Sequence, residues 1–410
     1  MFKLAFIILL ISCSRHRSKI TEQITSNVCI NNKTNKFLLL PATYQAKEIF
    51  IGASGDSDFL YFINFFSQEL KNDPININLI LPSRLSQSAI IFFDNLKNEH
   101  KNINLLAVAS DNTQWAQDYF EIFHNNNGAP QIVDLPYLKR SSEFTPGELA
   151  TKLKLPLLKT PNLKSKFNDG NLGGNIEAIN DSLVIVGDSM SEALSEWLKS
   201  TLAQEILKLK TNWLATGHVD ELFAILPTIN GSFKLAYSSP QLAIELLKAA
   251  NSSGEKRLSD FEIVGEEMFN NDKFNFKKCL ISFPTYCQEL FKANLKYESI
   301  IQSNLSLIMK KLNLSKKDLL PLPVLFSPKN KSKDYGQKQD LAETINPNLT
   351  NFISLNNKIF MPKQVFAPFE SYVEHIFSDL NLKLIWAPAR FAQTLSGGLH
   401  CSSQVLRTCH

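Results

Sequence analysis

A histidine and an aspartate stand two positions apart near the middle of the chain, at His218 and Asp220. We expect a strand there, and side chains two positions apart on a strand point to the same face, where both could act on one bound ligand. Gly217 directly before them would let a ligand or another chain segment approach the backbone closely. A solvent-exposed polar face would explain the same residues. A His-x-Asp metal pair is a further alternative, although the sequence has neither an HExxH helix nor the Cys/His sets of zinc proteins.

Three further clusters carry residue types that could do chemistry. They are Trp115-Ala116-Gln117-Asp118 with Glu121 just beyond, Gly173-Gly174-Asn175-Ile176-Glu177, and Gly397-Gly398-Leu399-His400-Cys401. Each is a weak signal alone, because a glycine pair usually marks a turn and a cysteine is more often a small buried hydrophobe than a nucleophile.

The elements that must position these clusters alternate between strand and helix periodicity to the end of the chain, which predicts an α/β fold. We expect strands over Trp115–Phe123, Ile176–Val186 and His218–Leu226. A capping box at Ser189–Glu192 predicts a helix that runs to about Lys210. Ser239-Pro240, a cap residue followed by a proline suited to the first turn, predicts the start of another helix. No Gly/Ser or Pro linker divides the middle of the chain, so we predict one catalytic domain over residues 45–410.

Composition excludes several classes of protein. The chain has 410 residues, of which 44% are hydrophobic and 20% charged, so disorder, collagen and coiled coils are ruled out. There are 43 Lys and Arg against 39 Asp and Glu, a net charge of +4. This weak balance gives no reason to propose a nucleic-acid partner.

The N-terminus has the features of an exported protein. An apolar run over residues 4–11 is too short to span a bilayer but has the length of a signal-peptide core. It ends in Leu10-Ile11-Ser12-Cys13, which resembles the bacterial lipobox. We therefore predict a lipoprotein signal peptide over residues 1–12, with a lipidated Cys13 and polar tether over 13–44. This would anchor the protein to a membrane, facing the periplasm or the outside; a plain secretory signal or an uncleaved apolar start are alternatives.

The chain has six cysteines and no CxxC pair, which argues against structural zinc and thioredoxin-like chemistry. In an exported protein, Cys279 with Cys287, or Cys401 with Cys409, could form disulfides. The spacing permits either pair and establishes neither.

Taken in chain order, the Trp…Asp, Gly-Asn-Ile-Glu, His-x-Asp and C-terminal Cys clusters resemble the protein-arginine deiminases, a family of guanidino-group-modifying enzymes. The resemblance covers roughly residues 115–407 and is clearest over Asn212–Glu221, Leu312–Phe326 and Ile359–Pro368. It implies a pseudo-fivefold α/β propeller, the pentein fold, built from ββαβ modules. It also implies a substrate, peptidyl arginine, which the family converts to citrulline with release of ammonia.

The resemblance assigns roles to individual residues. Asp118 and Asp220 match the two carboxylates that clamp the guanidinium, and Trp115 matches the aromatic residue that packs on its methylene stem. Cys401 matches the nucleophile of a covalent thiouronium intermediate, and His218 matches the general acid/base.

His400 adjoins Cys401 but is the poorer candidate for the base, because neighbours in an extended segment point opposite ways.

Lys139, with Arg140 beside it, is the nearest equivalent of an arginine that binds the substrate backbone in the family. Lysine lacks the planar fork of arginine, so peptide binding is expected to differ.

The resemblance implies one calcium site, which is the only cofactor expected. Gln117, Glu121 and Glu177 match its side-chain ligands, and the main-chain oxygens of Gly173 and Ile176 complete it. On a regular strand the first two of these would lie about 13 Å apart, so a bulge or bend is needed to bring them to one ion.

The sequence departs from the family at two further positions. Tyr119 replaces a ligand of a second calcium site, and Gly398 replaces a glutamate two residues before the His-Cys pair.

Two other functions remain open. One is an agmatine deiminase-like hydrolase of a small free guanidine, although Gln117 stands where that family places an arginine. The other is a non-catalytic lipoprotein that binds arginine-containing peptides.

Overall fold

The alternation of strands and helices is present in the computed structural model of the protein. The structure describes residues 35–137, 145–161, 169–228, 231–254, 270–271, 274–275, 285–327, 341–393, 395 and 397–409. The predicted signal peptide, Cys13, and the substrate-binding candidates Lys139 and Arg140 lie outside the described residues.

The strands of the described residues are short. They are β1 Leu38–Leu39, β2 Gln45–Gly52, β3 Asn76–Leu81, β4 Ile103–Ala107, β5 Phe120–His124, β6 Pro130–Asp134, β7 Leu157–Lys159, β8 Ile176–Asn180, β9 Leu183–Gly187, β10 Glu205–Leu209, β11 Phe223–Pro227, β12 Phe233–Ser239, β13 Asn270–Asn271, β14 Phe274–Asn275, β15 Leu319–Pro323, β16 Ile353–Leu355, β17 Lys358–Pro362, β18 Lys383–Ala387 and β19 Ser403–Thr408.

The α-helices of the described residues range from one turn to seven. They are α1 Ser57–Leu70, α2 Gln87–Glu99, α3 Ala116–Tyr119, α4 Thr145–Leu153, α5 Glu192–Thr201, α6 Pro240–Ser253, α7 Gln288–Leu312, α8 Ala367–Ser378 and α9 Arg390–Gln393. Short 3₁₀ turns lie at Asp169–Asn171, Gly173–Asn175, Thr285–Cys287 and Lys316–Asp318.

One ββαβ unit is repeated five times. In each unit two antiparallel strands are followed by a helical crossover and a third strand parallel to the second. The strand sets are β5-β6-β7, β8-β9-β10, β11-β12-β15, β16-β17-β18 and β19-β2-β3. The pseudo-fivefold α/β propeller expected from the sequence is confirmed.

The two ends of the chain are joined in the last of these units. β19, the strand that follows Cys401, pairs antiparallel with β2, and β2 pairs parallel with β3. β4 extends this sheet through a second parallel crossover over α2. A cysteine near the C-terminus is thereby held in the same ring as clusters that precede it by almost 300 positions.

Local sequence explains where several helices begin. Ser239 caps α6 by accepting a hydrogen bond from the Leu242 N–H, and Pro240 occupies the first turn, as predicted. The helix predicted to continue to about Lys210 ends at Thr201 instead. The residues that follow form β10, because Ile206 and Leu207 pair with the buried strand β9 and gain more there than from continuing an exposed helix.

The folded region begins before residue 45, although the polar tether was predicted to extend to residue 44. β1 pairs antiparallel with β5, and Leu38, Leu39 and Tyr44 are buried. Residues 37–44 are therefore part of the propeller. None of the described helices combines the length and the apolar character needed to cross a membrane.

Candidate active site

The four residues assigned to catalysis come together in one cleft of ≈ 570 Å³. The cleft is lined by Trp115, Asp118, Thr216, His218, Asp220, Glu221, Thr344, Asn348, Asn351, Leu395, Gly397, Gly398 and Cys401. Asp118, His218 and Asp220 are each less than a tenth exposed, whereas Cys401 is partly accessible.

The first cluster enters the cleft through a helical turn. A strand was expected over Trp115–Phe123, but α3 occupies positions 116–119 and the strand begins only at Phe120. The turn holds Asp118 at the cleft, and its main chain is attached to the nucleophile segment, since the Gln117 N–H donates to the Cys401 carbonyl at 3.1 Å. The same turn supplies the bend that was needed to bring Gln117 to Glu121, with Gln117 Nε2 donating to Glu121 Oε1 at 2.8 Å.

Trp115 forms a wall of the cleft where the C-terminal glycine pair passes. A Cβ atom at Gly397 would lie 2.2 Å from the Trp115 ring. Only a residue without a side chain therefore lets this loop pack against the indole, which explains one glycine of the fourth cluster.

His218 and Asp220 lie in a turn that precedes β11, and not on the strand predicted over His218–Leu226. The Val219 carbonyl accepts hydrogen bonds from the N–H groups of Leu222 and Phe223, which closes the turn. Both side chains nevertheless reach the same place. A Cβ atom at Gly174 would lie 2.5 Å from His218 Nδ1 and 3.1 Å from Asp220 Oδ2.

Asp220 has one satisfied and one available carboxylate oxygen. Oδ2 accepts from Asn351 Nδ2 at 3.1 Å, pairs with His400 Nδ1 at 3.1 Å, and lies 3.6 Å from Cys401 Sγ. Oδ1 is buried and has no hydrogen-bond partner among the described residues. A buried oxygen that accepts no hydrogen bond lowers the stability of the folded protein unless a ligand donates to it.

Cys401 is a free thiol, which excludes the Cys401–Cys409 bridge, while Cys287 and Cys409 are both in disulfide bonds. Cys279, the other candidate partner of Cys287, lies outside the described residues. Burial raises the pKa of the Cys401 thiol well above its usual value, and the negative charges of Asp220 and Asp118 raise it further. A cation bound between these carboxylates would act in the opposite direction and favour the thiolate.

His400 points away from the cleft, as expected, but for another reason. The segment is a turn, closed by a hydrogen bond from the Ser403 N–H to the His400 carbonyl, and it is not extended. The imidazole lies between Asp220 and Glu177, with Nε2 3.4 Å from Glu177 Oε1. Burial alone lowers the pKa of His400, but the two carboxylates outweigh it and the pKa is raised.

Glu221 was part of the third motif but was given no role. Its Oε1 accepts from the Thr216 hydroxyl and from the His218 N–H, so it positions the turn that carries His218. Burial raises the pKa of Glu221 to about 7, above its usual value of 4.5.

A second cavity of ≈ 800 Å³ lies across Asp220 from the cleft. Five of the polar residues that line it are called the inner cluster: Glu121, Glu177, His400, Gln404 and Arg407. Burial raises the pKa of Glu121 well above its usual value, and the negative charge of Glu177 raises it further. Burial also raises the pKa of Glu177, to about 7. Arg407 donates to the carbonyls of Ala42, Tyr44 and Ser354.

The residues expected to hold calcium line this cavity or, in the case of Gly173, pack beside it. Gly173 packs against the Gln117 carbonyl and Glu121 Oε1, and Glu177 Oε1 is buried without a hydrogen-bond partner among the described residues. Crowded carboxylates with an orphaned oxygen and nearby main-chain oxygens are a donor set that fits a hard divalent cation. Glu121 is less available, because its oxygens accept from Gln117 at 2.8 Å and from Gln404 at 2.8 Å.

Sequence reasoning missed Asn351 and Gln404. Asn351 contacts both Asp220 and Cys401, and Gln404 contacts Glu121. Neither stands in one of the four motifs, and an asparagine in a Pro/Asn-rich loop is ordinarily a turn residue, so no local signal marks it.

Comparisons with solved structures show that the fold is shared with guanidine-processing enzymes. Agmatine deiminase of C. jejuni superposes with a TM-score of 0.54 and 18% identity, over 91% of this chain and 96% of that one. Agmatine deiminase of Enterococcus faecalis superposes with a TM-score of 0.55 and 13% identity, over 92% and 97%.

Sequence comparisons point to one family. Human protein-arginine deiminase type-1 is 25% identical over 230 residues, 54% of this chain and 32% of its own length. Human protein-arginine deiminase type-4 is 27% identical over 227 residues, 53% of this chain and 32% of its own length. The chain thus spans about a third of the length of these curated relatives. The family model described as "Protein-arginine deiminase (PAD)" matches residues 173–410, more than half of the chain and all of the site from Gly174 to Cys401, so the chain belongs to the protein-arginine deiminase family.

Proposed function

We propose that the protein hydrolyses the guanidinium group of arginine in proteins or peptides, giving citrulline and ammonia. The observation that carries the proposal is the convergence of a free thiol, a histidine and two carboxylates in one cleft, at Cys401, His218, Asp118 and Asp220. Membership of the family and the names of its curated relatives support arginine in a polypeptide as the substrate.

The charge of the site selects a cation. Arginine arrives protonated, and its planar fork of N–H donors suits two carboxylates. Asp220 Oδ1 accepts from one side of the fork, and Asp118 faces the same cleft. Trp115 packs on the methylene stem, where a flat apolar ring replaces water.

The bound cation also activates the nucleophile. Because the two carboxylates disfavour a neighbouring thiolate, neutralising them with the guanidinium lowers the cost of ionising Cys401. The sulfur attacks the central guanidinium carbon and forms a C–S bond. His218 donates a proton to one terminal nitrogen, the C–N bond breaks, and ammonia leaves a thiouronium intermediate.

Hydrolysis completes the cycle at the same residues. His218, now neutral, takes a proton from a water molecule whose oxygen bonds to the thiouronium carbon. The C–S bond then breaks and the new hydroxyl group loses its proton to solvent, where the released ammonia takes it up. The ureido group of citrulline is released, and the Cys401 thiolate is regenerated. No net oxidation or reduction occurs, and one water is consumed for each ammonia formed.

The two alternative functions make different demands on this site. A non-catalytic binding protein has no need for a free thiol, and here the thiol, histidine and both carboxylates are retained together. A small free guanidine such as agmatine would use the same clamp, so substrate assays separate it from peptidyl arginine.

Citrulline production by the purified protein tests the proposal. An arginine peptide and agmatine are each assayed with Cys401→Ala as the control. We expect turnover of the peptide by the unmodified protein alone. Turnover of agmatine but not of the peptide would move the assignment to the small-guanidine branch, and turnover of neither would overturn the proposal.

We also propose that the inner cluster holds one calcium ion. Gln117, Glu121 and Glu177 would be its side-chain ligands, with main-chain oxygens of Gly173 and Ile176. A bound cation there neutralises acids that stand beside His400 and so steadies the segment that carries Cys401.

We propose that the protein is exported and anchored by a lipid on Cys13. Disulfide bonding of Cys287 and Cys409 supports an oxidising compartment. Metabolic labelling with a palmitate analogue should mark the protein. Labelling should vanish in Cys13→Ala and persist in the matched control Ser14→Ala. Equal labelling of both variants would contradict the anchor.

A further inference from the structure

Asn351 forms hydrogen bonds to Asp220, His400 and Cys401, although nothing in the sequence singled it out. It ends a turn closed by the Asn351 N–H and the Asn348 carbonyl. That turn packs on the turn of His218 and Asp220, because the Thr350 hydroxyl donates to the Asp220 carbonyl at 3.2 Å. The Asn351 side chain is 2% exposed.

The oxygen of Asn351 holds the nucleophile segment by its main chain. Asn351 Oδ1 accepts from the His400 N–H at 2.8 Å and from the Cys401 N–H at 3.3 Å. Two main-chain donors can face only an oxygen, so these contacts fix the orientation of the amide.

The nitrogen of the same amide must therefore face the reacting groups. Asn351 Nδ2 lies 3.1 Å from Asp220 Oδ2 and 3.2 Å from Cys401 Sγ. It has two hydrogens and thus one for each partner. Among the described residues, Asn351 supplies the side-chain nitrogen that donates a hydrogen bond to the Cys401 sulfur.

Gly398 gives this arrangement a steric requirement. A Cβ atom there would lie 2.1 Å from Asn351 Oδ1, so any side chain at 398 would push the amide away from the nucleophile segment. This explains why glycine suits a position where the sequence departs from the family's glutamate.

We propose that Asn351 is a positioning residue that donates one amide hydrogen to the Cys401 thiolate and the other to Asp220, while its oxygen fixes the main chain of the nucleophile. The thiolate otherwise faces two carboxylates in a buried site, so a donor at 3.2 Å is its main neutral stabiliser before the substrate arrives. The catalytic consequence rests on the proposed deiminase function, but the state of the thiol does not.

The decisive variant is Asn351→Asp, which keeps the oxygen that holds the main chain and removes the donor. The matched control is Asn346→Asp, because Asn346 is also a buried asparagine of this loop that accepts a main-chain N–H, and it does not line the cleft. Circular dichroism and thermal melting establish that each variant is folded. The rate of Cys401 alkylation by iodoacetamide is then measured across pH, with the modified cysteine identified by mass spectrometry.

We expect the pH at which the Cys401 alkylation rate is half-maximal to rise by at least one unit in Asn351→Asp. At pH 7.5, this shift slows alkylation about tenfold. The turnover number should fall by at least about tenfold while Asn346→Asp keeps the unmodified profile. A folded Asn351→Asp with an unchanged alkylation profile would overturn the proposal.

A second variant keeps the test decisive if Asn351→Asp does not fold. Gly398→Ala displaces the amide without altering it and should raise the midpoint in the same direction. Gly147→Ala is its control, because a Cβ there meets its nearest atom at an ordinary 3.9 Å. An unshifted midpoint in folded Gly398→Ala would also overturn the proposal. If the unmodified protein deiminates nothing, the proposed function fails, and the alkylation profiles still decide the role of Asn351.

Discussion

The cleft and the cavity of the inner cluster share Asp220, but their buried charged groups are satisfied in different ways. In the cleft, Asp220 Oδ1 is left without a partner among the described residues, next to a thiol and a second carboxylate. In the inner cluster, Glu121 accepts from two amides and Arg407 donates to three carbonyls. Glu177 Oε1 accepts no hydrogen bond among the described residues, but it faces the basic ring of His400 at 3.4 Å.

This difference distinguishes a region that can bind a ligand from a region that supports the binding residues. A group with unused acceptors gains most from a ligand, whereas a group whose hydrogen bonds are made within the protein gains rigidity. His400 joins the two regions, since one ring nitrogen faces Asp220 and the other faces Glu177. The cleft is therefore suited to receive a cationic ligand such as the guanidinium of the proposed substrate, and the inner cluster to hold Asp220 in place.

The largest effect should come from Cys401→Ala. Because no other thiol lines the cleft among the described residues, the covalent route is lost and citrulline formation should fall by at least about 10³-fold. The variant should keep its melting temperature and still bind an arginine peptide in calorimetry. Turnover at the unmodified rate would remove Cys401 from the mechanism and end the distinction between the two regions.

Asp220→Asn should have the next largest effect, about 10²-fold or more in kcat/KM, with both kcat and KM changed. It removes the charge that faces the guanidinium and leaves His400 with Glu177 as its remaining acidic neighbour. Steady-state kinetics with an arginine peptide measures both parameters. Asp181→Asn, at a partly exposed site bonded to Tyr44, serves as the control. Unchanged kinetics in Asp220→Asn would contradict the clamp.

Glu221→Gln should change how stability depends on pH. The folded pKa of about 7 lies above the ordinary 4.5, so the unfolded state ionises first and the folded state loses stability as pH rises between these values. The variant should therefore melt higher than the unmodified protein at pH 8, by about 2–4 °C, and equally at pH 4.5 or below. The exposed Glu245→Gln is the control, and a constant difference at both pH values would contradict the assignment.

Calcium should have the smallest effect, because the inner cluster already contains the basic side chains His400 and Arg407. We expect the melting temperature to rise by about 1–2 °C from chelator to saturating calcium, with no rise in Glu177→Gln. Identical melting temperatures in chelator and in calcium would contradict calcium binding to the inner cluster.

Local sequence patterns predicted regular elements better than the turns that carry the site. The cap and proline at Ser239-Pro240 predicted α6, because capping acts within one helical turn. The strands expected at Trp115 and His218 are a helical turn and a loop. Apolar alternation continues through both segments, and only their packing against Gly173 and Gly174 decides their conformation.

The sequence by itself determined which residues could do chemistry and the class of fold. The ordered Trp…Asp, His-x-Asp and C-terminal Cys clusters, and the α/β alternation, can be recognised because residue type and short-range spacing are local properties. Only the tertiary structure decided which oxygen of Asp220 is available, that His400 faces Glu177, and that Asn351 links Asp220 to Cys401. These depend on contacts between residues that are 50 to 223 positions apart in the chain. Such contacts form only when the five modules close into a ring, so no local pattern in the chain encodes them.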